Sequence, residues 1–342
     1  MTKSSEKENK NPMIVLTGDR PTGRLHLGHY VGSMVNRLDL EKKADQAYYM
    51  IADIQALTDN FSNPEKVHEN VMEVALDNLA VGLDPKKTTF FIQSQIPEIA
   101  ELTVMFLNLV TVARLKRNPT VKNEMNQKGF GEDVPAGFLA YPVSQAGDIL
   151  FCKANTIPVG EDQLPIIEQV NEIADKFNSL YGETFEKVKP ILSDESRLVG
   201  IDGNAKASKS LNNAIYLSDS KSEIEKKVMA MYTDPKHIHV NDPGQVEGNV
   251  VFIYLDIFDT DKDEVEKLKT QYRAGGLGDV TIKKRLISVL ESFIAPIRER
   301  REKLAQNPKE VIEILRQGTE KVREVAKKNM LEFKKAVKID YF

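Results

Sequence analysis

The stretch Met13-Ile14-Val15-Leu16-Thr17-Gly18-Asp19-Arg20-Pro21-Thr22-Gly23-Arg24-Leu25-His26-Leu27-Gly28-His29 carries the strongest structural signal in the chain. Its first four residues form a short apolar run and read as a buried strand. A turn rich in glycine and proline follows. Next, Leu27, Val31, Met34, Val35 and Leu38 recur on one face of a helix. A strand feeding a helix through a glycine-rich turn leaves backbone N–H groups free at the turn, where they favour anions. Two histidines flank Gly28 on the first helical turn. Their imidazoles can donate to phosphate oxygens, and Gly28 offers no side chain to block a flat ring. A metal site fits less well, since no Asp, Glu or Cys is spaced to complete it.

The same alternation continues along the chain. Ala47-Tyr48-Tyr49-Met50-Ile51-Ala52 and Thr89-Phe90-Phe91-Ile92 read as second and third strands. Thr156-Ile157-Pro158-Val159 reads as a fourth, weakened by its proline. A well-marked helix lies between the second and third: Asn63 can cap it, Pro64 suits its first position, and Gly82 can take the left-handed conformation at its end. Val67, Val71, Val74 and Leu79 supply its apolar stripe. Further helices are expected near 98–115 and 163–180. Strands alternating with helices imply an α/β domain, a Rossmann-like, doubly wound parallel sheet covered on both faces. Ligands bind beyond the carboxyl ends of such strands. That rule points to the loops after Leu16, Ala52, Ile92 and Val159.

Beyond about residue 215 the pattern turns helical, with long amphipathic segments at 280–303 and 311–338. Val250-Val251-Phe252-Ile253-Tyr254 suits either a strand or a helix. The expected organisation is a polar N-terminal tail over 1–12, a catalytic domain over 13–215 and an all-helical C-terminal domain over 216–342.

Composition fits this picture. The chain has 342 residues, 41% hydrophobic and 29% charged, as in a soluble globular protein. It has no apolar run of the ~20 residues a membrane span needs. The tail lacks the apolar core of a secretory signal. Its single cysteine, Cys152, excludes a disulfide framework within the chain and sits in an apolar run, as a buried inert thiol would. The net charge of −4 is uneven. Residues 273–342 carry 17 Lys and Arg against 10 Asp and Glu, and the remainder 30 against 41. A basic helical portion on an acidic body can offer a phosphate-binding face.

Three further stretches carry chemistry. Gly203-Asn204-Ala205-Lys206-Ala207-Ser208-Lys209-Ser210 taken alone suits a solvated surface loop; paired with the histidine turn it reads as a mobile phosphate clamp, whose two ammonium groups can neutralise the charge that builds on a departing pyrophosphate. Tyr141-Pro142-Val143-Ser144-Gln145-Ala146-Gly147-Asp148-Ile149-Leu150 places Asp148 among apolar neighbours. Pro158-Val159-Gly160-Glu161-Asp162-Gln163 is another strand-to-helix turn.

The histidine-bearing turn and the lysine loop resemble the HIGH and KMSKS signatures of class I aminoacyl-tRNA synthetases. The resemblance covers nearly the whole chain after residue 13 and is strongest to the bacterial tryptophanyl members. It implies that tryptophan is activated with ATP, carried with Mg2+, and passed to tRNA(Trp) by a cytoplasmic homodimer. His26, His29, Lys206 and Lys209 would serve the phosphates. Arg20, Pro21, Thr22, Gly28, Gly160, Glu161, Asp162, Leu198, Ala207, Ser208 and Ser210 would contact ATP. Asp148, Tyr141, Gln145, Gln163 and Gln55 would hold tryptophan, with Asp148 accepting from the indole N–H, which can only donate. Three departures stand out: Ala207 replaces the usual methionine, Gln55 stands where many relatives carry histidine, and Gln145 where many tryptophanyl members carry methionine. The rival readings are a tyrosyl enzyme, suggested by Gln145-Ala146-Gly147-Asp148, a small-molecule nucleotidyltransferase, and a paralogue that binds without charging.

Overall fold

The computed structural model describes residues 11–131, 133–192, 198–203, 206–209 and 211–342. The tail expected at 1–12 lies almost wholly outside them. In chain order the elements are β1 (Ile14–Asp19), α1 (Leu27–His29), a π-helical turn (Tyr30–Met34), α2 (Val35–Glu41), β2 (Gln46–Ile51), α3 (Asp53–Asn60) and α4 (Pro64–Val81). They continue with β3 (Thr88–Ile92), a 3-10 turn (Gln93–Gln95), α5 (Pro97–Leu107), α6 (Val112–Arg117), α7 (Pro119–Lys128) and α8 (Ala136–Leu150). Then come β4 (Thr156–Val159), a 3-10 turn (Glu161–Gln163), α9 (Leu164–Tyr181) and β5 (Lys189–Leu192). The described elements that follow are all helices: α10 (Lys221–Met229), α11 (Val250–Phe258), α12 (Lys262–Ala274), α13 (Asp279–Ala305) and α14 (Pro308–Ala336).

The five strands form one parallel sheet in the order β3-β2-β1-β4-β5. After β3 the chain crosses back over the sheet to place β4 on the far side of β1. The order therefore switches between β1 and β4, which opens a crevice beyond their carboxyl ends. β2 shows why its sequence is apolar without alternation. Tyr48 and Met50 pack with Ile99, Val143 and Ile173 on one face, and Tyr49 and Ile51 with Val74 and Leu290 on the other.

The long helix from 64 is built as its punctuation indicates. The Asn63 side chain accepts from the Lys66 N–H, Pro64 takes the first position, and Gly82 has φ 124°. The stretch 98–115, expected as one helix, breaks between α5 and α6, where Thr111 caps the second by accepting from the Arg114 N–H. The ambiguous run at 250–254 is helical, capped by Asn249. β5 has no counterpart among the expected strands. It is an exposed edge strand containing Pro190, and its Lys-Pro-Ile-Leu sequence carries no period.

α14 closes the opposite edge. Val311 and Leu315 enter the core on one face of the sheet, while Val322, Ala326, Met330 and Phe333 enter the core on the other. At the crossing, a Cβ on Gly318 would lie 1.9 Å from the Phe90 carbonyl oxygen, so only glycine lets the helix lie on the strand. The Thr319 hydroxyl oxygen accepts the Ile92 N–H. The exposed edge of β3 is thereby covered rather than left to pair with another chain.

Candidate active site

A cavity of about 440 Å³ opens at the switch point. The end of β1 lines it with residues 16–20, β2 with Met50, and β4 with Ile157, Pro158 and Val159. Its opposite wall comes from α8, through Phe138, Tyr141, Gln145 and Asp148.

The histidine turn is folded on itself. The Gly28 N–H donates to His26 Nδ1, and the His26 N–H donates to His29 Nδ1. Because each Nδ1 accepts, each imidazole carries its proton on Nε2 and presents an N–H donor. Burial, then the fields of His29 and Lys209, push the His26 pKa down to about 2. Burial does the same for His29, to about 3, against the opposing pull of Asp19. Both rings are neutral donors at neutral pH. A Cβ on Gly28 would lie 2.9 Å from the His26 ring, which explains the glycine between the two histidines.

The lysine segment lies directly against this turn. Tyr216 forms an antiparallel bridge with His26, closed by hydrogen bonds from the Leu27 N–H to the Ile215 carbonyl and from the Leu217 N–H to the Leu25 carbonyl. Lys209 Nζ donates to the Gly23 carbonyl at 2.6 Å. Burial pulls its pKa down to about 8, with Asp19 and Asp77 opposing. Ala207 is buried, and its N–H donates to the Leu198 carbonyl. Its methyl group would sit 3.5 Å from a Cβ on Gly28, so the short side chain packs against the histidine turn.

On the α8 wall, Asp148 is 2% exposed. Gln93 Nε2 donates to its Oδ1 at 2.6 Å, and Gln55 Nε2 approaches its Oδ2 at 3.4 Å. Burial lifts its pKa to about 7, opposed by these two amides and assisted by the charge on Asp53. Gln145 lines the same cavity, and its buried Oε1 has no hydrogen-bond partner among the described residues.

The expected residues fall into groups. Arg20, Thr22, His29, Gln55, Tyr141, Gln145, Asp148, Gly160, Gln163 and Lys209 line the cavity. His26, Ala207, Leu198 and Pro21, all buried, and Gly28, half-buried, do not line it. Lys206 is exposed on a bridge with Val199, and Ser208 donates its N–H to Asn213 Oδ1. Glu161 and Asp162 project to solvent from their 3-10 turn. Ser210 lies outside the described residues. Cys152 is buried as expected, its thiol pushed up to about 12 by burial.

Sequence reasoning missed a charged floor. Arg37 grips Asp19 with two nitrogens, at 2.5 and 2.8 Å, while the Tyr49 hydroxyl and Asn78 Nδ2 donate to the same carboxylate. Burial alone would raise the Asp19 pKa, but the Arg37 guanidinium outweighs it and holds the carboxylate well below its usual range. Both residues line the cavity. Asp77 supports the turn from below. Its Oδ2 accepts the Leu25 N–H at 2.6 Å, and its Oδ1 accepts from Arg301 on α13. Gln93 was also missed, although it is the first residue past β3, where the strand-end rule points.

Comparison with known proteins agrees with this geometry. The family model for tRNA synthetases class I (W and Y) matches residues 7–295. The tryptophan–tRNA ligase of Clostridium longisporum is 56% identical over 333 residues, covering 96% of this chain and 98% of that one. The tryptophan–tRNA ligase of Streptococcus pyogenes is 54% identical over 336 residues, with 96% and 99% covered. Among solved structures, tryptophanyl-tRNA synthetase from Campylobacter jejuni, complexed with ADP and tryptophan, aligns with a TM-score of 0.84 at 30% identity, covering 95% of this chain and all of that one. A parallel sheet switching at a histidine-bearing turn, with relatives of this identity over almost the full length, places the chain in the class I tryptophan and tyrosine family of tRNA synthetases.

Proposed function

We propose that this chain is a tryptophan–tRNA ligase, which activates L-tryptophan with ATP and transfers it to tRNA(Trp). One observation carries the reading: the lysine segment and the histidine turn, 186 residues apart, meet at the Lys209–Gly23 hydrogen bond on the rim of a cavity that also holds the buried carboxylate Asp148.

The tryptophan carboxylate is the nucleophile at the α-phosphorus of ATP, so no protein nucleophile is needed. The bond to pyrophosphate breaks as the acyl–phosphate bond forms, and the terminal adenosine hydroxyl of the tRNA then attacks the mixed anhydride. Catalysis is positioning plus charge stabilisation. His26 and His29 offer Nε2–H donors, and Lys206 and Lys209 supply positive charge. Mg2+ enters with ATP as part of the substrate. Arg20, Pro21, Thr22, Gly28, Leu198, Ala207, Ser208 and Ser210 shape the phosphate side, and Gly160, Glu161 and Asp162 the ribose side. Asp148 accepts the indole N–H. Gln145 Oε1 and Gln163 suit the α-ammonium and carboxylate, with Tyr141 and Gln55 completing the wall.

The helical portion over 216–342 is assigned to the anticodon, whose unpaired bases it would read by stacking and hydrogen bonding. The enzyme acts in the cytoplasm as a homodimer. Val104 and Leu107 on α5 and Val112 on α6 are exposed apolar side chains available to a second copy.

The deciding experiment is ATP–pyrophosphate exchange driven by tryptophan or by tyrosine. Exchange with tryptophan alone supports the reading. Exchange with tyrosine alone replaces it with the tyrosyl enzyme, and exchange with neither removes the activity.

A further inference from the structure

Gln93 has no role in the chemistry above, yet it is 1% exposed and both ends of its amide are engaged. Its Oε1 accepts the Gln55 N–H at 3.1 Å, and its Nε2 donates to Asp148 Oδ1 at 2.6 Å. The first contact prevents the amide from flipping, because a reversed amide would set N–H against N–H. Gln93 therefore presents a fixed donor to Asp148.

The two carboxylate oxygens are then unequal. Oδ1 is committed to a short bond with Gln93. Among the described residues, Oδ2 has only the 3.4 Å approach of Gln55 Nε2, and that nitrogen makes its shorter bond, 2.8 Å, to the Ser144 hydroxyl. A contact of 3.4 Å is long for a hydrogen bond, so Oδ2 keeps acceptor capacity, and Asp148 lines the cavity.

We propose that Gln93 is a positioning residue for amino-acid selection: it fixes Asp148 as an acceptor, with one oxygen held by the protein and the other left for the indole N–H. The proposal rests on the reading of Asp148 as the tryptophan acceptor. A donor that cannot itself accept favours the ionised carboxylate and disfavours a protonated one, which would meet the substrate N–H with O–H. This matters because Asp148 sits in apolar surroundings that favour its neutral form. Other ionisable groups near it or sharing its cavity are Asp53 on α3, Cys152 just past α8, Glu124 on α7, Tyr141 on α8, Asp19, Arg20, His29, Arg37 and Lys209. Of these, Asp53 pushes towards the neutral form, and the Gln93 amide opposes it most directly.

The test uses the full chain and tryptophan-dependent exchange. The competing substrate is the amino acid in which sulfur replaces the indole N–H. Gln93→Met keeps the volume and removes the donor. It should raise the tryptophan KM about 10–100-fold, reduce the preference for tryptophan over the sulfur isostere by a similar factor, and leave the ATP KM within about 3-fold. Gln93→Glu retains size and the acceptor for Gln55. Between about pH 5.5 and 8.5 its tryptophan KM should approach the parent value at the acid end, where the introduced carboxyl is protonated and donates, and rise as the pair loses its shared proton. Packing alone would not produce that pH-dependent rescue. An unchanged preference in Gln93→Met, or a pH-independent defect in Gln93→Glu, overturns the proposal. Asp148→Ala runs in parallel. If it leaves the preference intact, both the Asp148 reading and this inference fall. If it abolishes the preference while Gln93→Met does not, only this inference falls.

Discussion

Lys209 Nζ donates to the Gly23 carbonyl at 2.6 Å, joining the two signature segments of the site in a single contact. A bound pyrophosphate would replace that carbonyl as the acceptor. Because the ammonium is already held at the glycine-rich turn after β1, little reorganisation would be needed if charge developed there. Lys209→Ala should cut tryptophan-dependent ATP–pyrophosphate exchange by on the order of 10²-fold or more, the scale of losing one charge-stabilising donor. Undiminished exchange would remove Lys209 from the reacting phosphates.

The same lysine sets an alkaline limit. Burial brings its pKa down to about 8, and the protonated form is the useful one. In the free enzyme the charge is present below that value and lost as pH rises through it. kcat/KM for ATP should therefore fall on the alkaline side with an apparent pKa near 8. Lys209→Arg keeps its charge throughout this range and should flatten that limb even if its absolute rate is lower. A limb that persists in the arginine variant would belong to another group. No acid limb should come from His26 or His29 near their ordinary pKa, because both are held neutral by burial.

The Asp19–Arg37 pair allows a test by double substitution. Both side chains are nearly excluded from solvent, and Arg37 also donates to Asn78 Oδ1 and the Gly18 carbonyl. Asp19→Leu leaves a buried guanidinium without its counter-charge and should cost about 3–5 kcal/mol, read from urea unfolding. Adding Arg37→Met removes the orphaned charge and should recover most of that loss. If the double variant is no more stable than Asp19→Leu, the pair is not what the single substitution disrupts.

That pair also shows where sequence reading stops. Strands β1 to β4 are legible because a parallel sheet covered on both faces demands short apolar runs, and glycine, proline and histidine mark the turns between them. β5 is not: Lys189 and Pro190 on an exposed edge carry neither the period nor the apolarity of a strand. The break between α5 and α6 is hidden because Leu109 and Val110 continue the apolar run through it. His26, Lys209 and Asp148 are legible because their chemistry lies in local motifs. Asp19 stands in the same turn as the histidines, but its partner lies 18 residues away on another element, and Gln93 meets Asp148 across 55. Contacts of that kind depend on how strands and helices are laid side by side, which no local pattern encodes.

Ala207 offers a probe of loop packing. It is 4% exposed and sits against the histidine turn, where the family usually has methionine. In this chain the position is buried, so the longer side chain would overpack it, at a cost of typically about 1–3 kcal/mol. Ala207→Met should raise the ATP KM several-fold while leaving the tryptophan KM near its parent value. An improved ATP KM would mean that the segment rearranges to accept the larger residue.

Asp148 should trade stability for selection. Its pKa in the folded chain is raised by burial from 3.8 to about 7, so the folded state holds a proton that the unfolded chain releases. The stability this proton contributes is fully present below about pH 4 and is lost as pH rises towards 7, beyond which the loss is constant. Asp148→Asn removes the penalty and can still accept the Gln93 donor through its amide oxygen. At about pH 8 it should be more stable than the parent chain, by on the order of 1–4 kcal/mol from the size of that shift. The advantage should shrink as pH falls and vanish near about pH 4. Thermal melts of both proteins across this range test the sign directly. The same substitution should raise the tryptophan KM well beyond any change in the ATP KM, because an amide is a weaker acceptor for the indole N–H than a carboxylate. A variant that is no more stable on the alkaline side, or whose ATP and tryptophan KM rise together, would show that the buried carboxylate is not held at a cost for amino-acid binding.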